Sequence, residues 1–132
     1  MRFQTPPTLQ TLQTVLIADD EPSMRLLVHA TIESDDYKVI EAADGNQAWT
    51  LIQQLKPALV LLDVQMPGRT GLEILRSIRA DPGLTRTRVI LLTGTDHESD
   101  IEAGLMAGAD FYLTKPFSPL DLITRVEEAL QP

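Results

Sequence analysis

The chain lacks cysteine altogether among its 132 residues. Disulfide bonds and cysteine-ligated metals are therefore excluded, and a reducing compartment is consistent with this composition. The chain also lacks any apolar run near the roughly 18–20 residues that a bilayer-spanning helix requires. Residues 1–13 are polar, with no apolar stretch, so we interpret them as a flexible leader and not as a secretory signal. A cytoplasmic protein without membrane contact is the expectation.

Basic residues are scarce: 11 lysines and arginines face 19 acidic residues, for a net charge of −8. An acidic surface repels the phosphates of nucleic acids and anionic lipids, so direct binding to either is not expected. The stretch 69–88 is a local exception, and it contains Arg69, Arg76, Arg79, Arg86 and Arg88. We favour a solvated face for these arginines, with a docking patch for an acidic partner as the alternative.

Regular apolar patterning begins at Thr14, where five short apolar runs start to alternate with five amphipathic segments. The runs lie at 15–18, 37–40, 59–62, 89–92 and 111–113. The first, third and fourth runs are apolar throughout, as parallel strands covered on both faces require. The second run includes Lys38 and is followed by Glu41, which is typical of an edge strand.

The segments between the runs have the apolar spacing of helices. Turn and cap signals separate them: Pro22, Asp44-Gly45, Pro67-Gly68, Asp81-Pro82-Gly83 and Ser118-Pro119. The fourth segment has Ile101 and Leu105 as its main large apolar residues. Its Gly104 and Gly108 either weaken the helix, at about 1 kcal/mol each, or permit close packing. The alternation predicts a doubly wound α/β domain with parallel strands and right-handed crossovers.

Polar residues follow four of the predicted strands. They are Asp19-Asp20-Glu21 after the first strand, Asp63 after the third, Thr93-Gly94 after the fourth and Thr114-Lys115 after the fifth. Ligands of doubly wound folds bind outside the carboxyl ends of the strands. We therefore expect three carboxylates, a hydroxyl and an ammonium group to converge in one shallow pocket.

Such a pocket suits phosphoryl transfer beside a hard cation. Two carboxylates about 4 Å apart repel each other by roughly 4 kcal/mol at an effective dielectric of about 20. Mg²⁺ relieves this repulsion and prefers oxygen ligands. The Asp63 carboxylate is a competent nucleophile toward phosphorus. The transferred oxygens can then be stabilised by Mg²⁺, by Lys115, and by the Thr93 hydroxyl with nearby backbone N–H groups.

Each of these residues also has an ordinary structural interpretation. Asp19 or Asp20 could cap the helix that follows, and Asp63 could belong to the turn before Pro67-Gly68. Thr93 could be structural, and Lys115 could be a solvated surface lysine. The functional interpretation depends on the coincidence of suitable groups at four separate strand ends.

Over about residues 14–130 the chain resembles the receiver-domain family of two-component signalling. The resemblance rests on VLIADDEP at 15–22, LVLLDVQMPG at 59–68 with Gly71, VILLTG at 89–94, and GADFYLTKPF at 108–117. It implies a receiver domain over residues 14–132 with the flavodoxin-like strand order 2-1-3-4-5 and helices on both faces of the sheet. It also implies a phosphorylatable switch that is not a turnover enzyme.

The resemblance also assigns roles to individual residues. Asp63 is implied as the phosphoacceptor, and Asp20, Asp63 and the backbone carbonyl of Gln65 as Mg²⁺ ligands, with Asp19 acting through water and Mn²⁺ as a substitute ion. Thr93, Lys115 and the backbone of Gly94 are implied to contact the phosphoryl group, and Thr93 and Tyr112 to act in switching. The Lys115–Pro116 bond is expected to be cis, which X–Pro bonds tolerate at about 0.5–1 kcal/mol.

A histidine kinase or histidine phosphotransfer protein is the implied phosphodonor. A homodimer through the fourth helix, fifth strand and fifth helix is a further expectation. Gly94 stands where the family often has alanine, and Gln65 and Thr95 occupy positions that modulate hydrolysis. His29 and His97 have no metal-ligand spacing, and a phosphohistidine role is not favoured for either.

Two other functions are weaker alternatives. A haloacid-dehalogenase-type Mg²⁺ phosphatase resembles this pattern in its strand-end aspartate, but that family needs a second aspartate two residues later. Gln65 stands there after Asp63, and Glu21 stands there after Asp19. A phosphorylation-independent interaction receiver is disfavoured because every position of the acidic pocket is filled.

Overall fold

The computed structural model describes residues 12–94 and 98–131. Its strands are β1 (Gln13–Ala18), β2 (Tyr37–Ala42), β3 (Leu59–Asp63), β4 (Arg88–Thr93) and β5 (Phe111–Thr114). Its helices are α1 (Pro22–Ile32), α2 (Gly45–Leu55), α3 (Gly71–Ala80), α4 (Glu98–Met106) and α5 (Pro119–Leu130), and a short 3₁₀ turn covers Pro82–Leu84. Strand β1 begins two residues before the predicted run at 15–18, since Gln13 pairs with Tyr37. Residues 1–11 of the expected leader lie outside the described part.

The strands form one parallel sheet in the order β2-β1-β3-β4-β5. The predicted fold class and strand order are therefore confirmed, and β2 is an edge strand as its charged residues indicate. Strand β3 is buried along its whole length. It lies between β1 and β4, so the residue that ends it lies at the middle of the sheet's carboxyl edge.

Alternate residues of the strands face two hydrophobic cores. Leu16 and Leu62 belong to the core beneath α2 and α3, and Ile17 and Leu61 belong to the core beneath α1 and α5. Burying both faces removes large apolar areas from water at about 25 cal/mol per Å². This burial explains why β3 and β4 need almost continuous apolar sequence.

The helices begin where the turn and cap signals predict. Pro22 and Pro119 each occupy the first turn of a helix, and the Ser118 side chain accepts a hydrogen bond from the backbone of Asp121. Thr70 and Glu73 form a reciprocal capping box at the start of α3. Helix α3 therefore begins at a defined point just beyond the loop that follows Asp63.

Helix α4 differs from its prediction. Leu105 is 45% exposed and so is not an anchor, whereas Gly104 is buried. A Cβ atom at Gly104 would lie 2.0 Å from a methyl group of Leu91, so this glycine permits close packing on β4. Gly108 lies beyond the end of the helix with φ +105, a left-handed conformation that favours glycine. Met106, the last residue of the helix, is 89% exposed.

The five arginines of the stretch 69–88 do not form one solvated face. Arg79 donates hydrogen bonds to the carbonyl oxygens of Gly108 and Thr87 and to Asp110, and thereby connects α3 to the segment before β5. Arg69 stacks on the Trp49 ring at 5.2 Å from its centroid. Within the described ranges, no helix combines the length and the hydropathy needed to cross a membrane.

Candidate functional site

The predicted site residues meet at the carboxyl edge of the sheet. Asp19 follows β1, Asp63 ends β3, Thr93 ends β4 and Lys115 follows β5. The backbone N–H of Lys115 donates to the Thr93 carbonyl at 2.7 Å, which extends the pairing of β4 with β5 into the site. The parallel arrangement therefore brings together residues that are up to 96 positions apart in the chain.

Three carboxylates form the centre of this site. One oxygen from each of Asp19, Asp20 and Asp63 lies within 4.8 Å of the others, a spacing that could hold a metal ion. Asp19 and Asp63 are buried, and Asp20 is exposed to solvent. An ion approaching from solvent would therefore meet Asp20 at the rim and the other two carboxylates below it.

Lys115 supplies the only positive charge recorded in direct contact with these carboxylates in the described part of the chain. Its Nζ lies 2.8 Å from Asp19 Oδ2 and 3.4 Å from Asp63 Oδ2, with Glu21 Oε1 at 3.7 Å. One ammonium group faces two buried carboxylates, so it cannot neutralise both. The site retains excess negative charge.

The charge imbalance appears in the pKa values. Burial, together with the charge of Asp19, raises the pKa of Asp63 from 3.8 to about 6, although Lys115 partly offsets these effects. Burial alone would lower the pKa of Lys115, but its hydrogen bond to Asp19 and the charges of Asp63, Asp19 and Glu21 raise it overall. Lys115 therefore remains cationic near neutral pH, and the Asp63 carboxylate is mostly ionised only above about pH 6.

The remaining predicted residues surround this centre. Thr93 is 1% exposed, and its hydroxyl donates to the carbonyl of the adjacent Gly94 at 3.0 Å. The N–H of Gln65 donates to Asp63 Oδ1 at 3.3 Å. The Lys115–Pro116 bond is cis, as expected. Tyr112 is the second residue of β5 and is 41% exposed. Thr95 and His97 lie outside the described residues.

The loop between β3 and α3 is held closely against its surroundings. A Cβ atom at Gly71 would lie 2.3 Å from the Asp63 carbonyl oxygen, and one at Gly45 would lie 1.8 Å from the Arg69 carbonyl oxygen. The Gly45 N–H also donates to the Pro67 carbonyl at 3.0 Å. These close approaches of backbone to backbone fix the loop that contains Gln65.

Arg25 is a site neighbour that the sequence did not reveal. It lies on α1, and its guanidinium donates to the main-chain carbonyl of Asp19 at 2.7 Å. A single arginine on an amphipathic helix is ordinarily solvated, so no sequence signal distinguished it.

The donor set fits a hard divalent cation. Carboxylate oxygens are the ligands that Mg²⁺ and Mn²⁺ favour. Asp20 and Gln65 line the same open cleft of about 600 Å³ beside this cluster, which leaves room for water and a phosphoryl group. A larger groove of about 940 Å³ lies at the opposite end of the sheet, and its charged lining residues are Lys56, Arg86 and Arg88, so it does not suit a cation.

Fold and site together define a flavodoxin-like α/β domain with an acidic pocket at the carboxyl end of its central strand. The family model of the response regulator receiver domain matches residues 15–127. The chain therefore belongs to the response regulator receiver domain family, whose members are signalling switches that receive phosphoryl groups from histidine kinases.

Full-length relatives and solved structures agree with this assignment. The chain is 36% identical to the DNA-binding response regulator MtrA of Mycolicibacterium smegmatis, covering 90% of this chain and 51% of MtrA. It is 38% identical to the phosphate regulon transcriptional regulatory protein PhoB of Pseudomonas aeruginosa, covering 90% of this chain and 52% of PhoB. The chain thus spans about half the length of the curated relatives it matches.

Among solved structures, the chemotaxis response regulator CheY4 of Vibrio cholerae superposes with a TM-score of 0.83 at 32% identity, covering 91% of this chain and 100% of that chain. The receiver domain of the Francisella response regulator 1452 superposes with a TM-score of 0.79 at 34% identity, covering 89% and 96%. The similarity therefore extends over nearly the whole described domain.

Proposed function

We propose that Asp63 is the phosphoacceptor of this receiver domain, and that a histidine kinase or histidine phosphotransfer protein supplies the phosphoryl group. One observation supports this most: the Asp63 carboxylate lies at the middle of the sheet's edge, within 4.8 Å of two further carboxylates and 3.4 Å from Lys115 Nζ. A nucleophilic carboxylate, an oxygen donor set and a fixed cation are the groups that phosphoryl transfer requires.

The proposed reaction is a displacement at phosphorus. An oxygen of the ionised Asp63 attacks the phosphorus of the donor's phosphohistidine, forming the P–O bond of an aspartyl phosphate. The P–N bond breaks, its electron pair stays on the imidazole nitrogen, and that nitrogen takes up a proton from solvent. A carboxylate nucleophile of this kind has precedent in aspartyl-phosphate chemistry.

Asp20, Asp63 and the backbone carbonyl of Gln65 would hold a Mg²⁺ ion, or Mn²⁺ as a substitute, with Asp19 acting through water. When bound, the ion would offset carboxylate repulsion and the charge of the phosphoryl oxygens. The observation supporting this set is the all-oxygen cluster of three carboxylates beside an open cleft.

Lys115 would contact one phosphoryl oxygen, and the Thr93 hydroxyl and the backbone N–H of Gly94 would contact another. Lys115 already lies between Asp19 and Asp63, so a small movement suffices. Thr93 would exchange its short contact with the Gly94 carbonyl for a bond to an anionic oxygen, and bonds to charged groups contribute about 1.5–3 kcal/mol.

We propose that the signal leaves through the surface formed by α4, β5 and α5. Phosphorylation would favour the conformer in which Thr93 reaches the phosphoryl group, with Tyr112 changing its exposure. This surface includes Leu105, Met106 and Leu120, which are 45%, 89% and 71% exposed. Such exposed apolar side chains suit homodimerisation through this surface.

MtrA is a DNA-binding response regulator, and this chain spans about half of that protein. We propose that the receiver domain itself does not contact nucleic acid, in accord with its net charge of −8. Its family membership supports a place in the cytoplasm, where kinases have access to ATP.

We propose a switch that assists its own phosphorylation and dephosphorylation and does not turn over a substrate. The phosphatase alternative is not favoured, because Gln65 and Glu21 stand where that chemistry needs an aspartate.

Incubation with Mg²⁺ and acetyl phosphate, followed by intact-mass spectrometry, tests the phosphoacceptor. Wild type should gain one labile phosphoryl group, and Asp63→Asn should gain none. Equal occupancy on the asparagine variant would place the acceptor elsewhere. Sustained turnover of an organic phosphate ester would favour the phosphatase.

Amide hydrogen exchange with and without beryllofluoride tests the output surface. Protection should change in α4, β5 and α5 as well as around Asp63. Changes confined to the acidic pocket would rule this surface out.

A further inference from the structure

Arg25 of α1 extends back to the end of β1. Its Nη1 donates a 2.7 Å hydrogen bond to the main-chain carbonyl oxygen of Asp19, and its Nε donates to Glu41 Oε1 at 3.2 Å. The side chain is only 16% exposed. The bond to the Asp19 carbonyl, at 2.7 Å, has the short distance of charge-assisted hydrogen bonds.

The carbonyl that Arg25 contacts belongs to the peptide that joins Asp19 to Asp20. That peptide is planar, so fixing its oxygen also fixes the direction in which the chain continues into Asp20. The Asp19 N–H donates to the Ala42 carbonyl at 3.2 Å, and Asp19 Oδ1 accepts from the Glu21 N–H at 3.0 Å. Asp20 is exposed and its own side chain has little packing to orient it, so its orientation depends on the backbone.

Arg25 is itself held in place from β2. Glu41 Oε1 binds Arg25, while Glu41 Oε2 accepts a contact from His29 Nδ1 at 2.7 Å. His29 also pairs with Glu33 on the same helix. Both ends of the Glu41 carboxylate are therefore engaged, which restricts the rotamers of Glu41 and Arg25.

We propose that Arg25 is a positioning residue for the cation site: by fixing the Asp19–Asp20 peptide, it directs the Asp20 carboxylate toward Asp63. Arg25 does not itself contact the ion or the phosphoryl group. The inference rests on the proposed function, since it concerns the same acidic pocket.

Two rival roles predict different results. If Arg25 acted only through its charge, its removal would strengthen Mg²⁺ binding, because a nearby cation repels a divalent ion. If Arg25 only stabilised the fold, its removal would lower the melting temperature and leave Mg²⁺ affinity unchanged. Positioning predicts weaker Mg²⁺ binding, even when the charge is kept.

The experiment measures Mg²⁺ dissociation constants by amide chemical-shift titration with MgCl₂ on the full chain, with melting temperatures recorded in parallel without Mg²⁺. Arg25→Gln removes both the positive charge and the guanidinium group, whereas Arg25→Lys keeps the charge but loses the paired contact with the Asp19 carbonyl and Glu41. Both should weaken binding by about tenfold or more, the range for groups that orient metal ligands.

Arg125→Gln is the matched control: Arg125 also pairs with a glutamate, Glu128, at 3.2 Å, but on α5. It should bind Mg²⁺ like wild type.

Tighter Mg²⁺ binding by Arg25→Gln, or wild-type affinity in either variant, would overturn the inference, whatever happens to the melting temperature. Should Arg25→Gln fail to fold, Arg25→Lys decides alone. An absence of Mg²⁺ binding by wild type would instead overturn the proposed cation site, so the two failures are distinguishable.

Discussion

Replacing Asp63 by asparagine should stabilise the fold near pH 8 when Mg²⁺ is absent. Burial and the charge of Asp19 raise the pKa of Asp63 from 3.8 to about 6 in the folded protein. Because the folded-state pKa lies above the unfolded value, ionisation of this carboxylate opposes folding. The cost is absent below pH 3.8, grows up to about pH 6 and is complete above it. At about 1.4 kcal/mol per pH unit, the full cost is on the order of 3 kcal/mol.

Asparagine resembles the neutral acid in size. The free energy of unfolding of Asp63→Asn should therefore exceed that of wild type by up to about 3 kcal/mol near pH 8 and by about half of that near pH 5. Urea unfolding in EDTA at both pH values measures this difference. Asp35→Asn removes the same charge from an exposed position and should change stability by less than about 0.5 kcal/mol. Saturating Mg²⁺ should shrink the advantage of Asp63→Asn, since the proposed ion would bind and stabilise the wild-type pocket. A gain that is absent near pH 8, or equally large at both pH values, would refute the reasoning.

Three further outcomes are expected. Mg²⁺ should raise the melting temperature of wild type but raise that of Asp20→Ala much less, and identical calorimetric responses would remove Asp20 from the ligand set. The hydrogen bond to Glu41 raises the pKa of His29 above 6.5, so His29→Gln should lose less than about 1 kcal/mol. This loss of stability should be largest below pH 6.5 and should vanish as the pH rises through the folded-state pKa of His29. A loss of stability that does not depend on pH in urea unfolding would contradict this. Gly45→Ala should destabilise the fold by about 2–3 kcal/mol, because its Cβ would lie 1.8 Å from a backbone carbonyl oxygen. A Cβ at Gly83 would meet only side-chain atoms of Asp81 and Lys56, the nearest at 3.3 Å, so Gly83→Ala should remain near wild type in the same assay.

Helix α4 shows where sequence pattern alone misled. Ile101 and Leu105 share the spacing of a buried face, yet Leu105 is half exposed and the buried position is Gly104. Helical periodicity indicates which residues share a face, but a glycine contributes nothing to an apolar pattern. Only the position of Leu91 on β4 showed that a close approach at Gly104 is needed.

The arginines illustrate the same limit for charged residues. Arg79 and Arg25 have nothing in their local sequence that separates them from solvated arginines. Yet Arg79 donates to Gly108 and Asp110, and Arg25 donates to Glu41, all of them distant in the chain. Long side chains reach partners that depend on where other elements pack, so composition cannot identify them.

The sequence by itself determined the fold class and the residues of the acidic pocket. Apolar runs of strand length predicted buried parallel strands, and parallel strands end at one edge, so Asp19, Asp63 and Lys115 had to meet there. Only the tertiary structure decided how charge is distributed among them. A pKa near 6 for Asp63 depends on burial and on distances of a few ångströms between side chains, and these are set by packing and not by order in the chain.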